Sequence, residues 1–124
     1  MKAKKVKTKE LQAQARAESR FNIISHIKMN AVVREIRGLE YQTALAFLNQ
    51  MPNKSAKIIA KTVKSAYHNL LQVDENAAEE ECFVRAINVG TGPNIKRMKP
   101  RARGRADIYK KRTSHLEVIV ARRA

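Results

Sequence analysis

Residues 90–115 have the sequence GTGPNIKRMKPRARGRADIYKKRTSH, and this stretch decides what kind of fold the chain adopts. Its central part, residues 96–112, contains nine lysines and arginines and a single acid, Asp107. Burying so many unpaired charges in an apolar core is prohibitively costly. A regular helix is also excluded, because Pro100 and Gly104 lie in the middle of the segment. The segment must therefore project from the core rather than form part of it.

Short strand-like runs flank this basic segment on both sides. CFVRAINV spans residues 82–89, and SHLEVIV spans residues 114–120. Two such runs around a turn-forming centre predict a basic β-hairpin over residues 84–120, with its tip at residues 100–105. If the strands continue over residues 84–98 and 105–120, each has about 15 residues and reaches roughly 50 Å at 3.3 Å per residue. Pro93 and the glycines beside it predict a kink or bulge along the first of these strands. If the tip is extended as well, its three arginines share one side: Arg101, Arg103 and Arg105.

The charge of the chain points to a polyanionic partner. The 124 residues carry a formal net charge of +15, with +7 in residues 1–37, −2 in residues 38–82 and +10 in residues 83–124. Such self-repulsion destabilises a compact state unless counter-charge is supplied. Nucleic acid is the commonest source, and an anionic membrane surface is the second. The length predicts a single domain over residues 16–124, preceded by a basic flexible extension at residues 1–15.

Catalytic and metal-binding chemistry is not indicated. Cys82 is the only cysteine and lies in an apolar run, which predicts a buried structural thiol and no disulfide. The three histidines are far apart, and the acids cluster at residues 74–81, where we expect a solvent-facing loop. We therefore expect no enzyme, no metal and no cofactor.

Membrane and export signals are not indicated either. No apolar run approaches the roughly 18–20 residues needed to span a bilayer. The basic N-terminus lacks the apolar region of a signal peptide, so we expect a cytoplasmic or organellar-matrix protein.

Apolar periodicity predicts a strand from about residue 16 and three helices over residues 25–37, 40–50 and 54–71. Ser25 and Asn53 are the expected N-caps, and Gly38 is the expected stop signal. The predicted buried positions are Ile27, Val32, Val33 and Ile36 in the first helix, Ala44, Leu45 and Leu48 in the second, and Ala56, Ile59, Ala60, Val63, Ala66, Tyr67 and Leu70 in the third.

Two further sets of cations are candidates for phosphate contact. Lys54, Lys57, Lys61 and Lys64 fall on one face of the third helix, away from its apolar stripe. Ordinary solvation explains such a face equally well. Arg34 and Arg37 lie near the end of the first helix, where they also favour the helix dipole.

The segment GPNIKRMKPRARGRADIYKKRTSHLEVIV is very similar to the signature of the large-subunit ribosomal protein L-twenty-two family, in its bacterial or organellar form. Upstream, VREIRG at residues 33–38, Ala44-Leu45 and residues 54–69 resemble the helices of that family in the same order. The chain departs from the family pattern at residues 25–28, which are Ser-His-Ile-Lys where the family usually has Ser-Pro-Arg-Lys. The matching hairpin elements are Gly92-Pro93, Lys96-Arg97, Pro100-Arg101-Ala102, Gly104-Arg105-Ala106 and the KRTSH sequence at residues 111–115.

The resemblance implies an α+β fold, with three helices packed on a small antiparallel sheet and a long protruding β-hairpin. It implies a structural protein of the large ribosomal subunit that binds large-subunit rRNA, supports assembly and lines the nascent-peptide exit tunnel with its hairpin tip. The expected partners are rRNA, neighbouring large-subunit proteins and the nascent peptide, with no membrane and no homo-oligomer. The expected rRNA-binding residues are Lys96, Arg97, Lys99, Arg101, Arg103, Arg105, Lys110, Lys111, Arg112, Arg34, Arg37, Lys57, Lys61 and Lys64, and the expected tunnel-lining tip is Pro100, Arg101, Ala102, Arg103, Gly104 and Arg105.

Two alternatives use the same charge. A free-standing nucleic-acid chaperone or nucleoid protein would bind duplex DNA and rRNA with similar affinity. A membrane-active cationic protein would need a basic amphipathic helix with bulky apolar residues, and the third helix contains no Trp or Phe.

Overall fold

The structure is a computed structural model that describes residues 11–123, with side chains from Ala13 onward. Strands β1, β5 and β2 form one antiparallel sheet in that order, and β3 and β4 form a second, two-stranded antiparallel sheet. Three helices pack on the larger sheet, which confirms the α+β class predicted from the sequence. The elements are β1 (Leu11–Asn22), α1 (His26–Ile36), α2 (Tyr41–Gln50), α3 (Lys54–Val73), β2 (Cys82–Thr91), β3 (Ile95–Pro100), β4 (Ala106–Lys111) and β5 (Ser114–Arg123).

Strand β5 is the centre of the larger sheet. Its alternating residues Leu116, Val118 and Val120 are each at most 1% exposed and face the helices. Glu117 and Ile119 lie on the opposite face and remain partly exposed. This is the half-buried strand that the alternation predicts.

Helix α3 supplies most of the helical side of the core. All seven apolar positions predicted for it are buried, because they recur at the 3.6-residue period of a helix. Near its end, Tyr67 stacks on Tyr41 of α2 at 4.4 Å between ring centroids, and its hydroxyl donates a 3.0 Å hydrogen bond to the Ala77 carbonyl. The helix therefore holds α2 and the following linker to the sheet.

The predicted core positions of the first two helices are partly wrong. Ile27 is 62% exposed, and Met29 is fully buried instead. At 100° per residue, Ile27 points about 160° away from Met29, so both cannot face the core. In α2, Ala44 and Leu48 are buried as predicted, but Leu45 is only partly buried, and Tyr41 is a core residue that the periodicity missed.

Strand β1 is longer than the sequence indicated. It begins at Leu11 and pairs antiparallel with β5, from Leu11 opposite Arg123 to Asn22 opposite Ser114. Residues 11–15 therefore belong to the sheet, and the boundary predicted for the extension, at residue 15, is wrong. The rest of the predicted extension, residues 1–10, lies outside the described residues.

The acidic linker is tied to the sheet at one end, which corrects the expectation of a wholly solvent-facing loop. Arg122 of β5 donates to Asp74 at 2.7 Å and to Glu81 at 2.6 Å, and the side chain of Asp74 is only 19% exposed. The Arg122 hydrogen bond lowers the pKa of Asp74. The linker acids thus compensate a cation at the end of the central strand.

The cysteine, the helix lengths and the grouping of possible metal ligands bear on the chemistry considered from the sequence. Cys82 is 1% exposed, and burial raises the pKa of its thiol, so the predicted structural role is confirmed. Within residues 11–123, no helix is long and apolar enough to cross a membrane. The same residues contain no group of three or more His, Cys, Asp or Glu side chains placed to hold a metal ion.

Candidate nucleic-acid interface

The basic segment forms an arm, defined here as residues 92–113, that leaves the larger sheet at a bend. Pairing of β2 with β5 ends at Thr91 and Ser114, and pairing of β3 with β4 begins at Ile95 and Lys111. The hairpin is therefore interrupted between these two pairs rather than continuous over residues 84–120. Pro93 lies in the interruption and has no N–H to contribute to a ladder, which matches the kink that its presence predicts.

Close packing at this bend fixes the root of the arm. The Gly92 N–H donates to the Thr113 carbonyl at 2.9 Å, and the Thr113 hydroxyl donates to the Pro93 carbonyl at 2.6 Å. A Cβ atom on Gly92 would clash with the Thr113 hydroxyl and lie 3.2 Å from the Thr113 carbonyl carbon. Glycine is required here for space, and Thr113 is 2% exposed despite its position on the arm.

Beyond the bend, every residue from Lys96 to Arg112 is exposed. Alternation along the paired strands divides the arm into two faces. One face carries an apolar centre, with Met98 directly opposite Ile108, and has lysines at its base. The other face is basic and includes one aromatic ring. The first face contains Lys96, Met98, Pro100, Ala106, Ile108 and Lys110, and the second contains Ile95, Arg97, Lys99, Asp107, Tyr109 and Lys111.

The tip is a tight turn, so the condition under which its three arginines would share one side is not met. Residues Ala102–Gly104 form a short turn, in which Arg103 and Gly104 have left-handed φ values of 60° and 70°. Arg101 is not free, because its guanidinium donates to Asp107 at 2.8 Å. Arg103 and Arg105 form no ion pair within the described part of the chain. The three arginines therefore do not form one row.

The cations of α3 form a row on the helix surface, called here the lysine row: Lys54, Lys57, Lys61 and Lys64. All four are exposed, and none pairs with an acid among residues 13–123. At 1.5 Å per residue the row extends about 15 Å along the helix. Lys54 lines the same groove as Lys110, Lys111 and Arg112 of the arm, so the row begins near the arm's root.

Arg34 and Arg37, the two arginines predicted on α1, belong neither to the lysine row nor to the arm. They lie at the far end of α1 from the arm. Arg37 donates a 3.0 Å hydrogen bond to the Ile87 carbonyl and so connects α1 to β2. Arg34 is exposed. By contrast Lys28, which the sequence did not single out, lies beside the arm's root with Lys54. The signal that could have found Lys28 is its place in the first turn of α1, where acids are favoured over lysines.

The arrangement defines a class of protein: a small basic α+β domain with a projecting arm that presents cations in excess of any internal counter-charge. The family model described as "Ribosomal protein L22p/L17e" matches residues 17–121. The chain belongs to this family, whose members are structural proteins rather than enzymes.

Curated relatives agree with this assignment. A protein of Desulforamulus reducens named "Large ribosomal subunit protein uL22" is 45% identical over 108 residues, which cover 87% of this chain and 95% of the relative. Proteins with the same name from Sulfurimonas denitrificans and Treponema pallidum are 45% and 38% identical, and cover 86% and 85% of this chain. The alignments cover 96% and 85% of those two relatives.

Proposed function

We propose that this chain is a structural component of the large ribosomal subunit that binds large-subunit rRNA through its arm and lysine row. The observation that carries the proposal is the arm itself, because residues 96–112 are all exposed and contain nine cations and one acid. A two-stranded ribbon is marginally stable alone in water. Folded RNA supplies both the counter-charge and the surface against which such a ribbon can pack.

The two faces of the arm suit a site between RNA segments. Arg97, Lys99 and Lys111 share a face with Tyr109, which is 43% exposed. Guanidinium and ammonium groups bind phosphates, and an exposed aromatic ring stacks on unpaired bases. Met98 and Ile108 on the other face are 71% and 67% exposed, so removing their apolar surface from water would also favour binding.

The finer part of the proposal concerns location and partners. The arm extends from the body towards the interior of the subunit, and the tip at residues 100–105 lines the wall of the nascent-peptide tunnel. The body contacts neighbouring large-subunit proteins at the subunit surface, and the contacts with rRNA support assembly. The names of the relatives and the projecting, charged arm support this placement on the ribosome.

A binding experiment tests the proposal. The full chain should co-sediment with large ribosomal subunits at moderate salt, and duplex DNA should compete poorly with large-subunit rRNA. Failure to co-sediment would refute the ribosomal assignment. Equal competition by duplex DNA would favour a nonspecific nucleic-acid chaperone.

A pair of double variants locates the contact. Replacing Arg97 and Lys110 with glutamine should lower the log–log salt slope by about 1.4–1.8, because each lost phosphate contact removes about 0.7–0.9. The matched control replaces Arg16 and Arg20 of β1, which lie on the body and pair with Glu18. The control should keep the wild-type slope. Equal slopes for the two double variants would show that the arm does not make the contacts.

A further inference from the structure

The side chain of His115 lies between the body and the root of the arm. His115 belongs to the central strand β5, and its Nδ1 accepts a 3.0 Å hydrogen bond from the Phe21 N–H of β1. The other ring nitrogen, Nε2, lies 3.3 Å from the position that a Cβ on Gly92 would take. One imidazole therefore contacts both the end of β1 and the first residue of the arm.

This hydrogen bond requires a neutral imidazole. Nδ1 can accept only when it carries no hydrogen, so the neutral side chain has its proton on Nε2. A protonated imidazole has an N–H group at both nitrogens, and the Nδ1–H would then face the Phe21 N–H. Histidine side chains gain this proton between about pH 8 and pH 5. A single proton thus replaces an attraction with a contact between two donors.

Phe21 has a strained backbone that His115 holds in place. Its φ is 55°, a left-handed value that bulky residues rarely adopt, and it lies in the irregular register between Ser19 and Asn22. The Phe21 ring is exposed and packs edge-on against the imidazole, with 4.9 Å between ring centroids. Strained conformations persist only where their surroundings hold them, and they cluster at switch regions. His115 contacts both the backbone and the ring of this residue.

Ser114 adds a second unfavourable feature at the same place. It is fully buried, yet its hydroxyl has no hydrogen-bond partner among the described residues. Nearly all buried polar side chains have such a partner. Ser114 lies where the pairing of β5 with both neighbours ends, opposite Asn22 of β1 and Thr91 of β2. The sheet is therefore least well satisfied at the point where the arm leaves it.

The charged groups around His115 do not offer a protonated imidazole a free partner. Those that line the recess around it are Glu18 and Arg20 of β1 and Glu117 of β5, and the residues that β2 contributes are uncharged. Glu18 already pairs with Arg20 at 2.9 Å. Glu117 already pairs with Arg16 at 3.3 Å. Protonation of His115 therefore loses the Phe21 hydrogen bond without gaining an unpaired carboxylate in this recess.

We infer that His115 is a pH-sensitive latch that fixes the bend between the body and the arm. In its neutral form the imidazole holds the end of β1 against the root of the arm. Protonation breaks the Phe21 hydrogen bond, allows Phe21 to leave its left-handed conformation and withdraws the ring from Gly92, so the arm turns more freely on the body. The latch goes beyond the proposed function, because it is built from contacts within the chain and does not depend on what the arm binds.

NMR of the full chain in a pH titration from about 7.5 to 5.5 tests the latch. At the upper pH the ring nitrogens of His115 should show the proton on Nε2. As the pH falls, the amides of Phe21 and Gly92 should shift with the same midpoint as the His115 ring. The hydrogen-exchange protection factor of the Phe21 amide should fall about threefold to tenfold, the value of one hydrogen bond. Residual dipolar couplings of the arm should shrink relative to those of the body.

Two variants separate the acceptor from its protonation. His115→Asn offers an amide oxygen in place of Nδ1 and cannot gain a proton in this pH range, so its Phe21 amide and arm couplings should not depend on pH. His115→Ala has no acceptor, so its arm couplings at the upper pH should match those of wild type at the lower pH. The matched control is His68→Asn, at an exposed histidine of α3, which should keep the wild-type response.

Several results would overturn the inference. They are a proton on Nδ1 of His115 at the upper pH, a Phe21 amide whose midpoint differs from that of the His115 ring, and a His115→Asn variant that responds to pH as wild type does. The wild-type titration decides the matter even where a variant fails to fold. A chain that binds rRNA while its Phe21 amide stays unmoved refutes the latch alone, and a latch that titrates in a chain that does not bind rRNA refutes only the proposed function.

Discussion

Replacing Gly92 with alanine tests the close packing that orients the arm. The added Cβ would meet the Thr113 hydroxyl and the Thr113 carbonyl carbon, and the second of these is backbone that cannot simply rotate away. Relief requires displacing Thr113 and losing its 2.6 Å hydrogen bond to the Pro93 carbonyl. Overpacking costs about 1–3 kcal/mol, and a lost hydrogen bond costs about 1 kcal/mol. We expect a destabilisation of about 2–3 kcal/mol, or a fall in Tm of roughly 8–12 °C.

Gly90→Ala is the matched control, at a position two residues earlier and within β2. Its Cβ would lie 3.9 Å from the His115 Cβ, which is an ordinary contact. Neither glycine is among the described residues with positive φ, so only space distinguishes them. The control should change the free energy of unfolding by less than about 0.5 kcal/mol.

Urea unfolding measures the global effect of these glycine variants, and amide hydrogen exchange at residue 92 measures the local one. In wild type this amide is protected because it donates to the Thr113 carbonyl. Gly92→Ala should lose that protection and bind rRNA more weakly, because the arm is released from its orientation. Equal stability and equal protection in the two variants would refute the packing described at the bend.

Three further predictions concern the tip, the linker and the core. Arg103→Gln should lower the log–log salt slope of rRNA binding by about 0.7–0.9 with an unchanged Tm, since the side chain is exposed. Asp74→Asn should reduce stability at neutral pH, because the Arg122 hydrogen bond and charge hold the pKa of Asp74 below its unfolded value. The difference in the free energy of unfolding between the variant and wild type should shrink as the pH falls from about 4 through the lowered pKa of Asp74. Urea titrations at several pH values measure this difference. Ile59→Ala should cost about 2–5 kcal/mol in urea unfolding, whereas Ile27→Ala should cost less than about 0.5–1 kcal/mol, because Ile59 is fully buried and Ile27 is 62% exposed.

Each of these three predictions has a clear contrary outcome. An unchanged salt slope for Arg103→Gln would remove the tip from the RNA contacts. A stability difference for Asp74→Asn that does not shrink as the pH falls from about 4 through the lowered pKa would mean that the carboxylate charge is not its source. Equal losses for the two isoleucine variants would contradict the orientation of α1.

The sequence predicted elements whose residues carry a regular period. The seven apolar positions of α3 recur at the helical period over about four turns, so no tertiary information was needed to find its core face. In α1 the apolar pattern is short and allows two core faces. Ile27 fits one of them and Met29 fits the other, and only the folded structure shows that Met29 is buried. Tyr41 was missed because it is the first residue of α2, and no helical residue precedes it to extend the apolar pattern.

Features that depend on contacts between distant residues were not predictable in this way. The pairing of β1 with β5 joins residues about one hundred positions apart, as in Ala17 with Val118. The tip turn depends on Arg103 adopting a left-handed conformation, which its residue type does not indicate. The cations at the root of the arm come together only in the fold, because Lys28 lies on α1, Lys54 on α3 and Lys111 on β4.

A density map of the large ribosomal subunit that contains this chain would test the central claim most directly. The account predicts that residues 96–112 lie between rRNA segments, with phosphates beside Arg97 and Lys99 and the tip at residues 100–105 on the tunnel wall. A map that shows the arm in solvent, or large subunits that lack the chain altogether, would contradict it.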